Sequence, residues 1–278
     1  YNIGLVTNGS LITPEIIDYL AKWKVDMAVS FEILPDLQNK ERGSYEKVAT
    51  HIDMMLDRGF PFGIRTTFTP ESVGRMCEMI EEVHHRFPKL HKVVFDVVLA
   101  PGLFENPGQL EDYYDTFLTE YYKAKALACS YDITLESVAV ETLSMVRDRT
   151  CEGKIVLTPS GTISSCARVS SPREAQYHNY IYGEVKDGGL TFDKSRFKEI
   201  LNAHNIYTQS ECADCFAKWN CGGGCRLFHD SFDERFEKVR CAFVKKALRL
   251  ELLNVLAGRF EKQTRQTLES HIRQHVTE

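Results

Sequence analysis

The chain has 278 residues, 43% hydrophobic and 26% charged, with a formal net charge of -5. That length can bury a sizeable core as one large unit and a smaller one, while the acidic balance, with a pI near 6.0, argues against nucleic acid as a partner, since phosphate binding needs a basic surface. No apolar run reaches the roughly 20 residues that cross a bilayer, and the first residues lack the basic-then-apolar order of a signal peptide, so no membrane partner and a cytoplasmic location are expected.

The first half alternates short apolar runs with longer amphipathic segments, the rhythm of β/α units feeding a parallel sheet. Four such units are predicted. Residues 3–7 form a strand, and Thr13-Pro14 supplies the N-cap and first-turn proline of a helix carrying Ile16, Ile17, Leu20 and Trp23. Residues 25–31 form the second strand. Ser44 caps a helix with Val48, Ile52, Met55 and Leu56 on its apolar face, stopped at Gly59, a residue that tolerates the left-handed conformation. Phe62–Phe68 is the third strand. Thr69-Pro70 repeats the cap-and-proline signal ahead of Val73, Met76, Cys77, Ile80 and Val83, and residues 92–99 supply a fourth strand followed by a long Tyr-rich helix. Right-handed crossovers wind these units into a partial barrel or open sheet.

From Cys151 the rhythm changes. Residues 154–158 and 162–165, joined by Pro159-Ser160-Gly161, predict a short hairpin, and residues 239–255 and 267–276 show helical spacing, a helical tail. The predicted division is 1–145, 146–245 and 246–278.

Nine cysteines are many for a cytoplasmic chain of this size, where clustered Cys is more often metal-binding than disulfide-bonded. Cys77 falls on a helical apolar stripe and Cys129 ends a helix, so both read as buried small hydrophobes. The other seven form a pattern: Cys151-x9-Gly161-x4-Cys166, then Cys212-x2-Cys215-x5-Cys221-x3-Cys225, then Cys241 after fifteen more residues. A Cys-x2-Cys pair presents two thiolates from one turn, and Gly222-Gly223-Gly224 lets the backbone fold closely around a cofactor. Two zinc ions take about eight ligands, and two four-iron clusters want as many. Spacing and count alone leave zinc and iron both open.

The seven cysteines, with Gly161 and the core Trp219-Asn220-Cys221-Gly222-Gly223-Gly224-Cys225, resemble the SPASM auxiliary-cluster domain of radical S-adenosylmethionine (radical SAM) peptide and protein maturases. Upstream, Thr7-Asn8-Gly9, Ser30-Phe31-Glu32 and Arg42-Gly43-Ser44-Tyr45 are similar to the same family. The resemblance implies an α/β fold: a partial radical SAM (β/α) barrel over 1–145, a small Cys-rich SPASM domain over 146–245 and C-terminal helices. It also implies two [4Fe-4S] clusters, Cys151, Cys166 and Cys225 on the first and Cys212, Cys215, Cys221 and Cys241 on the second. The first is then one thiolate short, because Ser144, Met145 and Val146 stand where some members carry a further cysteine; that iron is either open or bound by a non-cysteine group. Ser30 and Arg42 become candidate contacts to the ribose or carboxylate of S-adenosylmethionine.

The family's reaction begins at a third [4Fe-4S] cluster on Cys-x3-Cys-x2-Cys, a run this sequence does not contain; Phe228 stands where a third thiol would follow Cys221-x3-Cys225. The residues in hand are therefore expected to be inactive alone, and the non-Met start favours removal of an N-terminal part of the barrel over natural loss. The implied function of the intact protein is modification of a ribosomally synthesised precursor peptide by hydrogen abstraction with crosslinking or oxidation, with a reductant such as flavodoxin or ferredoxin. One alternative is an anaerobic sulfatase-maturing enzyme, against which Ala167 stands where an Asp base is expected. A second is a non-catalytic, zinc-stabilised peptide-binding scaffold. His84-His85 reads as a solvated charged helix end, and the pairs Tyr113-Tyr114 and Tyr121-Tyr122 read as core.

Overall fold

The computed structural model describes residues 3–275. The chain divides into two compact units, Tyr1–Glu141 and Thr142–Glu278.

In the first unit, β1 (Gly4–Thr7), α1 (Pro14–Lys22), β2 (Asp26–Ser30), α2 (Pro35–Glu41), α3 (Tyr45–Asp57), β3 (Phe62–Phe68), α4 (Met76–Arg86), β4 (Lys92–Val97), α5 (Pro107–Ser130) and β5 (Thr134–Glu136) follow in order. The strands form one parallel sheet, β1-β2-β3-β4-β5, an α/β fold as expected. It has five strands rather than four. The fifth spans three residues and buries only Leu135, too short a pattern to register as a strand in sequence.

The Thr13 hydroxyl accepts from the Ile16 N–H and Pro14 opens α1, as the sequence predicts. Only Ile17 and Leu20 of that helix are buried, while Ile16 and Trp23 remain exposed. Ser44 sits in the left-handed region at φ 59° and its side chain does not cap α3. The cap comes instead from Asn39, whose Oδ1 accepts from the Tyr45 N–H at 3.0 Å. Thr69-Pro70 likewise begins a turn rather than a helix: the Thr69 carbonyl accepts from the Ser72 and Val73 N–H groups, a short 3-10 segment follows, and α4 starts at Met76.

The core lies between β3, β4 and α5. Phe68 meets Phe95 edge-on at 4.7 Å and Phe117 at 6.0 Å, each buried ring contributing about 2–3 kcal/mol. Tyr113, Tyr114 and Tyr121 are buried as expected, and Tyr122 is half-buried. Tyr113 also orders the ends of two strands, because its hydroxyl donates to the Phe68 carbonyl at 2.8 Å and accepts from the Val98 N–H at 3.0 Å. Cys129 is exposed, contrary to expectation, and Cys77 is half-buried. His84 is not simply solvated either, since its ring stacks on Tyr131 at 3.9 Å.

The second unit holds a four-stranded antiparallel sheet of β6 (Val156–Leu157), β7 (Thr162–Ser164), β8 (Ile181–Lys186) and β9 (Gly189–Phe192), paired in chain order. The predicted hairpin is its first pair. Helices α6 (Lys194–Asn202), α7 (Lys218–Cys221), α8 (Arg226–Ser231), α9 (Glu234–Thr264) and α10 (Leu268–His275) complete it. Helix α9 starts five residues before the predicted 239 because Asp233 caps it, accepting from the Arg235 and Phe236 N–H groups. The last predicted tail residue, Val276, lies outside the described residues. Among the described residues no helix is long and apolar enough to cross a membrane.

Candidate metal centres

All seven patterned cysteines lie in the second unit, six on its loops and short helices and Cys241 on the long helix α9. Residues 142–150 run along the glycine-rich turn after α7 and are fastened to it at several points. The Asn220 amide donates to the carbonyls of Thr142, Leu143 and Met145 at 3.0–3.2 Å. The Arg147 N–H donates to the Trp219 carbonyl at 2.8 Å, and the Thr150 hydroxyl donates to the Cys221 carbonyl at 2.7 Å. Gly222, Gly223 and Gly224 all have positive φ, where a side chain is strained. A Cβ on Gly222 would lie 2.6 Å from the Arg149 carbonyl carbon, and one on Gly224 would run into the Arg240 guanidinium. The three glycines are therefore fixed by both conformation and space.

The thiols sort into two groups. Cys151, although exposed as a residue, has its thiol pushed up by burial and further by the negative charge Cys225 and Cys166 would carry, against the Arg226 N–H that it accepts. Cys166 is raised by burial and by Cys225, with the Arg168 N–H opposing. In the second group, burial and then Cys221, Cys215 and Cys241 push Cys212 up to about 11. Cys241 is raised by burial, with Arg240 opposing. Among the described residues, no three His, Cys, Asp or Glu side chains converge tightly enough to hold one metal ion.

Arg240, 8% exposed, stands beside the second group. Its Nε and Nη2 pair with Glu237 at 2.9 Å, Nη2 donates to the Gly223 carbonyl at 3.4 Å, and Nη1 lies 4.0 Å from the Cys221 sulfur. Burial alone would weaken its charge, but Glu237, Cys221 and Cys241 hold it protonated. Neither Arg240 nor Asn220 was singled out from sequence for such a role. The available signal was adjacency, one preceding Cys241 and the other Cys221.

The donor set, soft thiols, fits a thiolate-bound centre, iron cluster or zinc. Cys151, Cys166 and Cys212, raised by burial and by neighbouring cysteines, are disfavoured as free thiolates, a balance that a cationic core reverses.

In the first unit, a cleft of about 320 Å³ opens beyond the carboxyl ends of β2, β3 and β4, lined by Glu32, Arg42, Thr67, Thr69, Ser72 and Val98 among others, the end of a parallel sheet at which ligands bind. The Arg42 Nε donates to Glu32 at 2.8 Å. Burial raises the Glu32 carboxyl, with Arg42 and the Thr67 N–H partly offsetting. Gln38 holds the loop, accepting from the Glu32 N–H and donating to the Gly43 carbonyl. Ser30, half-buried at the end of β2, pairs in register with Arg65 and is not among the lining residues.

No family model matches the chain and no curated protein matches it in sequence. Solved structures do. It superposes on anSMEcpe with bound AdoMet at a TM-score of 0.66 and 16% identity, covering 91% of this chain and 74% of that one. The match to anSMEcpe with AdoMet and the Kp18Cys peptide has the same score and identity, over 91% and 75%. Streptococcus suis SuiB bound to S-adenosylmethionine matches at 0.51 and 14%, over 84% of this chain and 57% of SuiB. The fold matches that of radical SAM enzyme structures. At these identities the radical SAM likeness is one of fold.

Proposed function

We propose that the chain is part of a radical SAM/SPASM maturase that modifies a ribosomally synthesised peptide by hydrogen abstraction with crosslinking or oxidation. The observation that carries this reading is the sorting of seven cysteines into two mutually interacting groups around one glycine turn. Cys151, Cys166 and Cys225 would hold one four-iron cluster and Cys212, Cys215, Cys221 and Cys241 another. When bound, such clusters supply one-electron transfer or an iron site for a substrate heteroatom. The chain's own contribution is to crowd the thiols, exclude side chains at the turn and set a buried cation at Cys221.

The Glu32–Arg42 cleft is the proposed seat for part of S-adenosylmethionine, with Arg42 as a candidate contact to its ribose or carboxylate; Ser30, the other candidate, lies at the end of β2 outside the lining of this cleft. The AdoMet and peptide in the anSMEcpe structures support that ligand and a peptide partner. With no Cys-x3-Cys-x2-Cys run in this sequence, no initiating step is assigned to these residues. A flavodoxin- or ferredoxin-type reductant and a cytoplasmic location complete the reading.

A sulfatase-maturing activity is the second reading, favoured by the better superposition on anSMEcpe and opposed by Ala167, where an Asp base is expected. Iron, sulfide and zinc analysis of anaerobically purified protein tests the cluster assignment. About eight iron and eight sulfide per chain are expected. Stoichiometric zinc without sulfide would move the protein to the zinc-scaffold alternative.

A further inference from the structure

On the ligand set that the resemblance implies, the first thiol group is one ligand short of a four-iron cluster, and the structure offers a buried nitrogen on a residue that shares a cavity with Cys151. His204, 7% exposed, lines a narrow cavity together with Cys151, Ser165, Gly224 and Arg226. Its Nε2 lies 3.0 Å from the Gly223 carbonyl. A carbonyl only accepts, so Nε2 carries the proton and Nδ1 presents a lone pair. That Nδ1 is buried and has no hydrogen-bond partner.

We infer that His204 supplies, through Nδ1, the fourth ligand of the cluster held by Cys151, Cys166 and Cys225. The inference rests on the cluster reading proposed above. Three observations favour a ligand over a packing residue. A core histidine normally satisfies both ring nitrogens, and here one is left bare. Histidines that bind metal typically donate the other N–H to a backbone carbonyl or carboxylate, which fixes tautomer and ring orientation, the arrangement Gly223 provides. Two other polar side chains at the cavity are already engaged, since the Tyr180 hydroxyl donates to Asp230 and Arg226 bonds Asp230 and the Ile200 carbonyl. Imidazole replaces thiolate on iron in other iron–sulfur centres, where it raises the reduction potential.

The test uses the full chain, reconstituted anaerobically with iron and sulfide and labelled with nitrogen-15 histidine, followed by pulsed paramagnetic resonance of the reduced protein. A strongly coupled histidine nitrogen is expected, absent in H204A. H204C should restore four irons at that site without the coupling and at a lower midpoint potential. The second cluster's signal reports that each variant is folded. Full iron content with no nitrogen coupling, or coupling that persists in H204A, overturns the histidine ligand while leaving the two-cluster reading intact. Absence of iron and sulfide from the wild-type chain overturns both.

Discussion

The Arg240 Nη1 lies 4.0 Å from the Cys221 sulfur while the same guanidinium is locked by Glu237 at 2.9 Å. The relationship is possible because Gly224 has no Cβ where the guanidinium sits. A desolvated cation so close to a thiolate favours the more negative, reduced state of whatever is bound there. Arg240→Gln is therefore expected to keep iron bound and lower the midpoint potential of the cluster proposed on Cys212, Cys215, Cys221 and Cys241. Potentiometric titration with paramagnetic resonance detection checks this, and an unchanged potential would refute it.

Removing Arg240 also leaves Glu237 buried without its cation. Breaking one side of a buried pair costs about 3–5 kcal/mol, so Arg240→Met should lower stability by roughly that amount. Arg240→Met combined with Glu237→Leu should recover most of it. Urea unfolding of the wild type, Arg240→Met, Glu237→Leu and the double variant measures the coupling.

Gly222→Ala meets two obstacles, a positive φ and the Arg149–Thr150 backbone 2.6–2.8 Å away. Left-handed strain costs about 1–2 kcal/mol and overpacking about 1–3 kcal/mol. A loss of several kcal/mol together with reduced iron retention is expected. Gly161→Ala has the strain but open space around it, so it should cost about 1–2 kcal/mol. Equal losses in the two variants would show that the close approach contributes nothing.

Asn220→Ala should release residues 142–145, because one amide serves three carbonyls there. The expected loss is about 1–3 kcal/mol. Hydrogen exchange should rise at the N–H of Arg147, whose bond to the Trp219 carbonyl closes the same segment. Unaltered protection at Arg147 would rule out this clamp.

Glu32 provides a pH test. Its folded pKa is raised, chiefly by burial, so between the ordinary carboxyl value near 4.5 and its own folded value the native state binds more protons than the unfolded chain. Stability from this group is present below about pH 4.5 and is lost as pH rises through the folded pKa. Glu32→Gln should remove that downward slope. Denaturation midpoints across pH 4 to 8 reveal it, and parallel curves for both proteins would contradict the assignment.

Much of this architecture is legible along the chain because it depends on local pattern. Phe62–Phe68 and the α1 cap follow from alternation and from Thr13-Pro14, and the seven-cysteine spacing is of a kind that suits zinc or iron–sulfur chemistry. Where a feature depends on a partner distant in sequence, the pattern is silent or misleading. Ser44 looks like a cap, but Asn39 caps α3, because the loop turns through positive φ at Gly43 and Ser44. Cys129 reads as a buried small hydrophobe ending a helix, yet it falls at the exposed end of α5. That one ligand is missing from the first group is what the family resemblance implies; only the tertiary structure brings His204 to Gly223, nineteen residues away, and Arg240 to Cys221 across another nineteen. Spacing determines which residues can meet within one turn of chain, whereas contacts across a glycine-lined fold are decided by which backbones can approach without a Cβ between them.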